Sequence, residues 1–220
     1  MSNIFAVYKP KGPSSASVVR EIKKVAGKDK VGHGGTLDPL ARGVLVVGIG
    51  REATKNLTSI INGGKEYVAL IKLGEISTTD DEEGEKTIGE VKIHPDKEEI
   101  KKVVDRFIGP INQVPPLFSA IKIKGREAYK LARAGKEVKL SPRSVLVENI
   151  EILSYRWPLL KLRVITGPGV YIRSLARDIG EFLGVGGYLF DLERIRVGKF
   201  TVQQAISVDK LKKQILKGKI

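Results

Sequence analysis

The stretch "GHGGTLDPLARGVLVVGIG", Gly32 to Gly50, sets an apolar run of strand length directly after a bend rich in glycine and proline. "GVLVVGIG" is bounded by turn residues, is too short for a globular helix, and reads as a short buried strand. Gly32, Gly34 and Gly35 permit backbone conformations closed to other residues and let another chain approach closely. Pro39 pushes Asp38 out of the helical region. Asp38 is therefore fixed at a stiff bend that feeds the buried strand. Taken alone, "LDPL" is also good turn chemistry, with an aspartate that can cap nearby amides.

Outward from this strand the periodicity alternates between two and 3.6. "IFAVYKP" reads as a strand ending at Pro10. "SSASVVREIKKVAG" spaces Val18, Val19, Ile22 and Val25 as a helix, with Ser14 or Ser15 as N-cap and Gly27 near its end. "REATKNLTSIINGG" suits a helix with Leu57, Ile60 and Ile61 inward, and "KEYVALIKLG" a strand. "ISTTDDEEGEK" reads as a polar loop, "DKEEIKKVVDRFIG" as a helix, "PLFSAIKIKG" as strand-like, and "REAYKLARAG" as a short helix. "SVLVENIEIL" and "LLKLRVIT" alternate as strands, and "VYIRSLARDIGEFLG" is amphipathic through Ile172, Leu175, Ile179 and Phe182. "LERIRVGKF" alternates again, and "VDKLKKQIL" closes the chain as a basic helix. Strands and helices are interspersed without regular β-α alternation, without an internal repeat and without a linker. This predicts one α+β domain over residues 1–220, with an antiparallel-rich central sheet flanked by helices.

The 220 residues carry a formal net charge of +14, which fits an anionic partner (nucleic acid, a membrane surface or an acidic protein) and equally a highly soluble or heat-adapted surface rich in Lys and Glu. No apolar run is long enough to span a bilayer, and the N-terminus lacks a signal-peptide pattern, so no membrane role is expected. The chain has no cysteine and only two histidines, His33 and His94, far apart in sequence. Disulfides, thiolate nucleophiles and cysteine-based metal sites are excluded, no metal is expected, and a reducing cytoplasm fits.

The same bend resembles the TruB family of pseudouridine synthases, whose motif is approximately GH-x-G-x-LDP-x-A-x-GVL; Gly32 to Leu45 matches it throughout. "KPKGPSS", "KEYVALIKLG", "STTDDEEGE", "VPPLFSAIKIKGREAYKLARAGKEV" and "YIRSLARDIG" match further family motifs in order along nearly the whole chain. Departures are Tyr8, where the family commonly has Asp before KP, Pro168 and Val170 in "GPGVYIRS", and Glu193, at a place often basic, which leaves Arg194 as the neighbouring phosphate contact. About twenty residues follow "VGKF", too few for the C-terminal RNA-binding domain that many bacterial members append.

The resemblance implies the pseudouridine synthase fold and an isomerase that converts uridine to pseudouridine at position 55, in the T-loop of tRNA. The N-glycosidic bond breaks, the uracil turns, and the link re-forms through carbon. Nothing is gained or lost, so no cofactor is expected. Asp38 is implied as the catalytic carboxylate: nucleophile on the ring or the sugar, or base at the sugar. Arg173 of "YIR" is implied as its counter-charge, Tyr67 as the tyrosine stacked on the target base, and Leu192 as an apolar neighbour of that base. His33 is implied to fill the space the flipped uridine leaves. Candidates for the RNA backbone are Lys11, Arg42, Lys122, Lys124, Arg126, Lys130, Arg133 and Arg143. The expected partner is the tRNA T-arm stem-loop, bound by a monomer with no protein partner. The rival readings are a guide-RNA-dependent synthase of the archaeal and eukaryotic type, and a non-catalytic tRNA-folding chaperone.

Overall fold

The structure is a computed structural model that describes residues 3–89, 91–119, 121–123, 125–134, 138 and 140–218. In chain order the elements are β1 (Ile4–Lys9), α1 (Ser15–Val25), β2 (Val31–Gly34), β3 (Arg42–Ile49), α2 (Arg51–Ile61), β4 (Lys65–Leu73), β5 (Glu75–Ser77), β6 (Lys86–Ile88), α3 (Lys97–Asp105), β7 (Gly109–Gln113), β8 (Lys122–Ile123), β9 (Arg126–Glu127), α4 (Ala128–Arg133), β10 (Arg143–Arg156), β11 (Leu159–Thr166), α5 (Ile172–Phe182), β12 (Gly187–Val197), β13 (Phe200–Thr201), β14 (Ile206–Ser207) and α6 (Val208–Leu216). The chain forms two compact units. One comprises Met1–Val68, Ile165–Pro168 and Leu192–Ile220, the other Ala69–Val164 and Gly169–Asp191.

In the first unit the strand order is β14-β1-β3-β12, with β2 on β3 and β13 on β12. β1 pairs antiparallel with β3 along one edge. The other edge of β3 is shared: β2 pairs antiparallel with its C-terminal half and β12 pairs parallel at Arg42 and Gly43. Side chains alternate along β3. Leu45, Val47 and Ile49 join Val7, Val18, Ile22 and Leu211 in a core beneath α1 and α6. Val44 and Val46 join Ala6, Leu57 and Val197 in a second core that takes in α2. Both faces of β3 are covered, which is why its sequence is an unbroken apolar run. Ser14 caps α1 by accepting from the Ser17 amide.

In the second unit the order is β12-β4-β11-β10-β7, with β5–β6 and β8–β9 as separate two-stranded pairs. The helix expected over "DKEEIKKVVDRFIG" is α3, started by a capping box between Asp96 and Glu99. The acidic stretch expected to be a loop is the β5–β6 hairpin, with Glu75 opposite Ile88. The strand-like reading of "PLFSAIKIKG" is corrected: among its described residues only Lys122–Ile123 pairs, because two prolines precede it and Gly125 turns the chain at φ +83°. The α5 stripe is also corrected at its end. Ile172, Leu175 and Ile179 are buried, but Phe182 is 59% exposed and meets Phe107 edge-on. Elsewhere on the helix the chain approaches closely at Gly180, where a Cβ would lie 2.3 Å from the Gly186 carbonyl carbon.

The contact between β3 and β12 is equally tight. Gly43 has φ +109°, and a Cβ there would meet the Arg194 carbonyl oxygen at 2.2 Å. Gly43→Ala is expected to destabilise the protein by at least about 3 kcal/mol, through strain and overlap together. Thermal unfolding of the variant measures it, and an unchanged melting temperature would show that the two strands separate here without cost.

Candidate active site

The bend read from the sequence is a turn in which the Ala41 amide donates to the Asp38 carbonyl at 3.1 Å, with Pro39 at its second position. The N-terminal segment grips both neighbours of Asp38. The Ser15 hydroxyl donates to the Leu37 carbonyl and accepts from the Leu37 amide, both at 2.9 Å. The Gly12 amide donates to the Pro39 carbonyl at 2.8 Å. Lys9, with no exposed surface, donates to the carbonyls of Pro10 (2.9 Å), Pro13 (2.7 Å) and Pro39 (3.4 Å). A buried ammonium needs such acceptors. Asp38, half-buried, is thus held by its flanking backbone on either side, and the "KPKGPSS" motif supplies the clamps.

The side before the bend is fixed from β12. Along β3, His33 of β2 stands opposite Val47, and Arg194 of β12 opposite Gly43. Between the end of β2 and the start of the β12 contact, unpaired carbonyls need donors. Arg194 supplies them. Its Nε donates to the Val44 carbonyl (2.9 Å), Nη2 to Gly35 (2.9 Å) and Nη1 to Thr36 (3.3 Å). Burial works against its charge, and the neighbouring Tyr67 hydroxyl and Asp38 carboxylate favour it. The side chain is almost wholly buried. Arg194 is therefore not the phosphate contact that its sequence position suggests. Its buried charge is favoured by that of Asp38, and the motif reading missed both its burial and this coupling. The one available sign was its parity with Leu192: residues two apart on a strand share a face, and Leu192 is buried.

Tyr67 is buried on β4. Burial pushes its phenol above the ordinary range, against the pull of Arg194, with the Asp38 charge adding to the rise. The hydroxyl is protonated at neutral pH and available as a donor. His33 lies on a strand rather than in a surface loop and is half-buried. Its Nδ1 is buried and has no hydrogen-bond partner. Burial, then the Arg194 charge, lowers the imidazole from its ordinary value, so the ring is neutral at pH 7. A neutral, flat ring with an unsatisfied nitrogen suits stacking within nucleic acid better than an ion pair.

Arg173 belongs to the second unit, in the first turn of α5, and is buried. Its Nη2 donates to the Phe118 carbonyl (3.0 Å) and Nη1 to the Thr79 carbonyl (3.3 Å), with Asp81 Oδ2 at 3.6 Å from Nη1. Thr79 and Asp81 come from "STTDDEEGE" and Phe118 from "PPLFSA", so three motifs of the chain meet at this guanidinium. The same turn is held by Gln113, which accepts from the Tyr171 amide (2.8 Å) and donates to its carbonyl (3.1 Å). Arg177, one turn on, pairs with Asp80 (2.9 Å) and Asp178 (2.8 Å).

Of the candidate RNA-backbone cations, Lys11, Arg126, Lys130 and Arg143 are exposed. Arg42 lies 3.5 Å from Glu193 Oε2, and Glu193 Oε1 accepts from the Tyr8 hydroxyl at 3.1 Å. Two departures from the family pattern, Tyr8 and Glu193, are therefore partners in one contact. The side chains of Lys122 and Arg133, and Lys124 altogether, lie outside the described residues.

Residues 23–172 match the TruB family pseudouridylate synthase N-terminal domain, and residues 173–219 the tRNA pseudouridylate synthase B C-terminal domain. Curated proteins called tRNA pseudouridine synthase B from Ehrlichia ruminantium and Clostridium tetani are 48% and 42% identical over 94% and 97% of the chain, which covers 70% and 74% of theirs. One from Rhodospirillum rubrum is 43% identical over 93% of the chain, which spans 66% of that protein. Among solved structures, a Cbf5-Nop10-Gar1 complex aligns at TM-score 0.75 and 34% identity, over 99% of this chain and 56% of that one. The archaeal box H/ACA Nop10-Cbf5 complex aligns at 0.71 and 30%, over 99% and 55%. No helix among the described residues is long and apolar enough to cross a membrane. The family match takes in the clamped bend and both strands that frame it, and the chain belongs to the TruB family of pseudouridylate synthases.

Proposed function

We propose that the chain isomerises uridine to pseudouridine at position 55, in the T-loop of tRNA, as a monomer in the cytoplasm that needs neither guide RNA nor a protein partner, with residues 1–220 forming its catalytic domain. The observation that carries the reading is the setting of Asp38: a half-buried carboxylate on a backbone clamped at Leu37 and Pro39, with the bend before it held by the buried Arg194 through the Gly35 and Thr36 carbonyls. Asp38 is the reacting carboxylate. Tyr67, His33, Leu192 and Arg173 make up the substrate-binding set, and the exposed Lys11, Arg126, Lys130 and Arg143 are candidates for phosphate contacts.

The chemistry fits these residues. Uracil can leave the sugar as a stabilised anion, so one carboxylate suffices where ordinary glycosidases use two. A rigid bend holds Asp38 at a set distance from the reacting carbon, and that pre-organisation is where much of the rate comes from. The Tyr67 ring offers a face to the base and its protonated hydroxyl a donor. The target must leave its stack to reach a carboxylate at this depth, and His33 offers a ring to fill the gap. The greater identity to proteins called tRNA pseudouridine synthase B than to Cbf5 supports the guide-independent reading.

Purified protein mixed with unmodified tRNA transcript, and nothing else, is expected to form pseudouridine in the T-loop. A T-arm hairpin should react almost as fast as whole tRNA, because the proposed contacts are local to the target. Affinity should fall at least about tenfold between about 50 mM and about 200 mM salt, as phosphate contacts require. Product that appears only with added guide RNA would favour the rival synthase, and tight binding with no product would favour the chaperone.

A further inference from the structure

Two loops hold the Arg173 guanidinium, and both are tied together one helical turn further along α5. Thr79, whose carbonyl accepts from Arg173 Nη1, lies in the turn after β5, and Phe118, whose carbonyl accepts from Nη2, lies in the segment after β7. Arg177 is four residues on, so its side chain leaves the same face of the helix. Its Nη1 donates to Asp80 Oδ2 at 2.9 Å, in the first loop, and its Nη2 to the Val114 carbonyl at 2.9 Å, at the start of the second. Asp178 Oδ1 accepts from Nε (2.9 Å) and Nη2 (2.8 Å), which fixes the plane of the guanidinium. One side chain therefore links the two segments that aim another.

The Asp80 end of this tie is the strained one. Asp80 has φ +60°, and among the described residues it is the one non-glycine residue in the left-handed region. Aspartate tolerates that conformation better than most residues, but it still costs energy, so the surroundings must hold it. The Asp80 amide donates to the Ser77 carbonyl at 3.1 Å, and its carbonyl accepts from the Leu189 amide at 3.0 Å. Its carboxylate is held by Arg177. The residues on either side are the two that meet Arg173: the Thr79 carbonyl, and Asp81 at 3.6 Å from Nη1. A turn that relaxes at Asp80 moves both. The second segment depends less on Arg177, because the Val114 carbonyl also accepts from the Ser174 hydroxyl at 2.8 Å.

Taking as given the isomerisation and the place of Arg173 in its substrate-binding set, we propose that Arg177 is a positioning residue for that reaction: through Asp80 it sets the loop whose carbonyl aims the Arg173 guanidinium. Arg177 itself touches no reacting atom. Its effect falls on the rate, because a displaced guanidinium keeps its charge but no longer meets the reacting groups in the right geometry.

The test uses the full chain with unmodified T-arm transcript. Arg177→Met and Asp80→Asn are made alone and in an Arg173→Lys background. Single-turnover rate at saturating enzyme, RNA affinity by filter binding and melting temperature are measured for each. Asparagine is chosen at position 80 because it also tolerates positive φ, so that the charge alone is lost. A lysine in place of Arg173 keeps the charge there but has no planar fork to bridge two carbonyls. With Arg173 present, each substitution is expected to cut the rate by about ten- to a hundredfold with affinity unchanged. In the Arg173→Lys background the same substitution is expected to cost about twofold or less, because there is no longer a fork to aim. Equal factors in the two backgrounds would mean that Arg177 only stabilises the fold, and overturn the proposal. So does an unchanged rate, or weaker binding with a normal rate at saturation, which would make Arg177 a phosphate contact. If Arg177→Met does not fold, Asp80→Asn decides by the same cycle. The aim of Arg173 is also read without activity. Its Nε–H NMR signal, assigned by its loss in Arg173→Lys, should shift and broaden in Asp80→Asn, and a signal that stays in place overturns the proposal. Wild-type protein that forms no pseudouridine fails the functional reading, and the NMR comparison still decides whether the Arg177–Asp80 pair holds Arg173.

Discussion

Asp38→Asn is expected to form no detectable pseudouridine while binding tRNA within about tenfold of the wild type. The substitution keeps the shape of the side chain and removes its charge. The bend should survive it, because its clamps act on backbone groups: Ser15 on Leu37, Gly12 and Lys9 on Pro39, and the Asp38 carbonyl itself on Ala41. Pro39 is unchanged, so the conformational restriction on residue 38 is unchanged too. Binding should persist because RNA affinity comes mostly from phosphate contacts, and a carboxylate makes none. The measurement is quantification of pseudouridine in digested RNA after long incubation with excess enzyme, alongside filter binding. Turnover by a preparation verified to contain only the asparagine form would sink the assignment of Asp38 as the reacting group.

Elements with a full period of apolar residues were legible in the sequence. β1, β3, β4, α1, α3 and α6 lie within a few residues of where alternation or helical spacing puts them, and the mixed, antiparallel-rich sheet follows from their order. Short elements were not legible. β2 is "VGHG", four residues with two glycines, and pairs because β3 offers it an edge rather than through its own propensity. β7, "GPINQ", starts on glycine and proline and is defined by its register with β10. The same division holds at the candidate site. Asp38 stands out because a carboxylate before proline in a glycine-rich bend is unusual chemistry. Lys9 and Arg194 do not stand out, because a basic residue in a basic chain reads as solvated or as a phosphate contact. Only the structure reveals the buried carbonyls that each of them satisfies. Tyr8 and Glu193 appear in the sequence as two unrelated departures, and only their 3.1 Å contact shows them to be one.

Arg194→Met should therefore cost folding stability as well as activity, by about 3–5 kcal/mol. Methionine fills much of the volume but donates nothing. The carbonyls of Val44, Gly35 and Thr36 would be left buried without their donor, and each unsatisfied group costs about 1–3 kcal/mol before relaxation. The loss is concentrated where β2 ends and β12 begins along the edge of β3, so the Gly35–Ala41 bend should loosen first. For a chain of this length the melting temperature should fall by roughly 2–4 °C for each kcal/mol. Arg194→Lys should fall between the two, since a lysine keeps the charge near Asp38 and Tyr67 but cannot present a planar fork to three carbonyls. Hydrogen exchange separates this role from a surface one: amides around Gly35 to Ala41 should lose protection in Arg194→Met while those of the α1 core change less. A surface phosphate contact predicts the opposite pattern, with stability and exchange unmoved and only the salt dependence of tRNA binding reduced. An Arg194→Met protein as stable as wild type would mean that the three carbonyls find other donors, and that Arg194 does not hold the backbone on which Asp38 is placed.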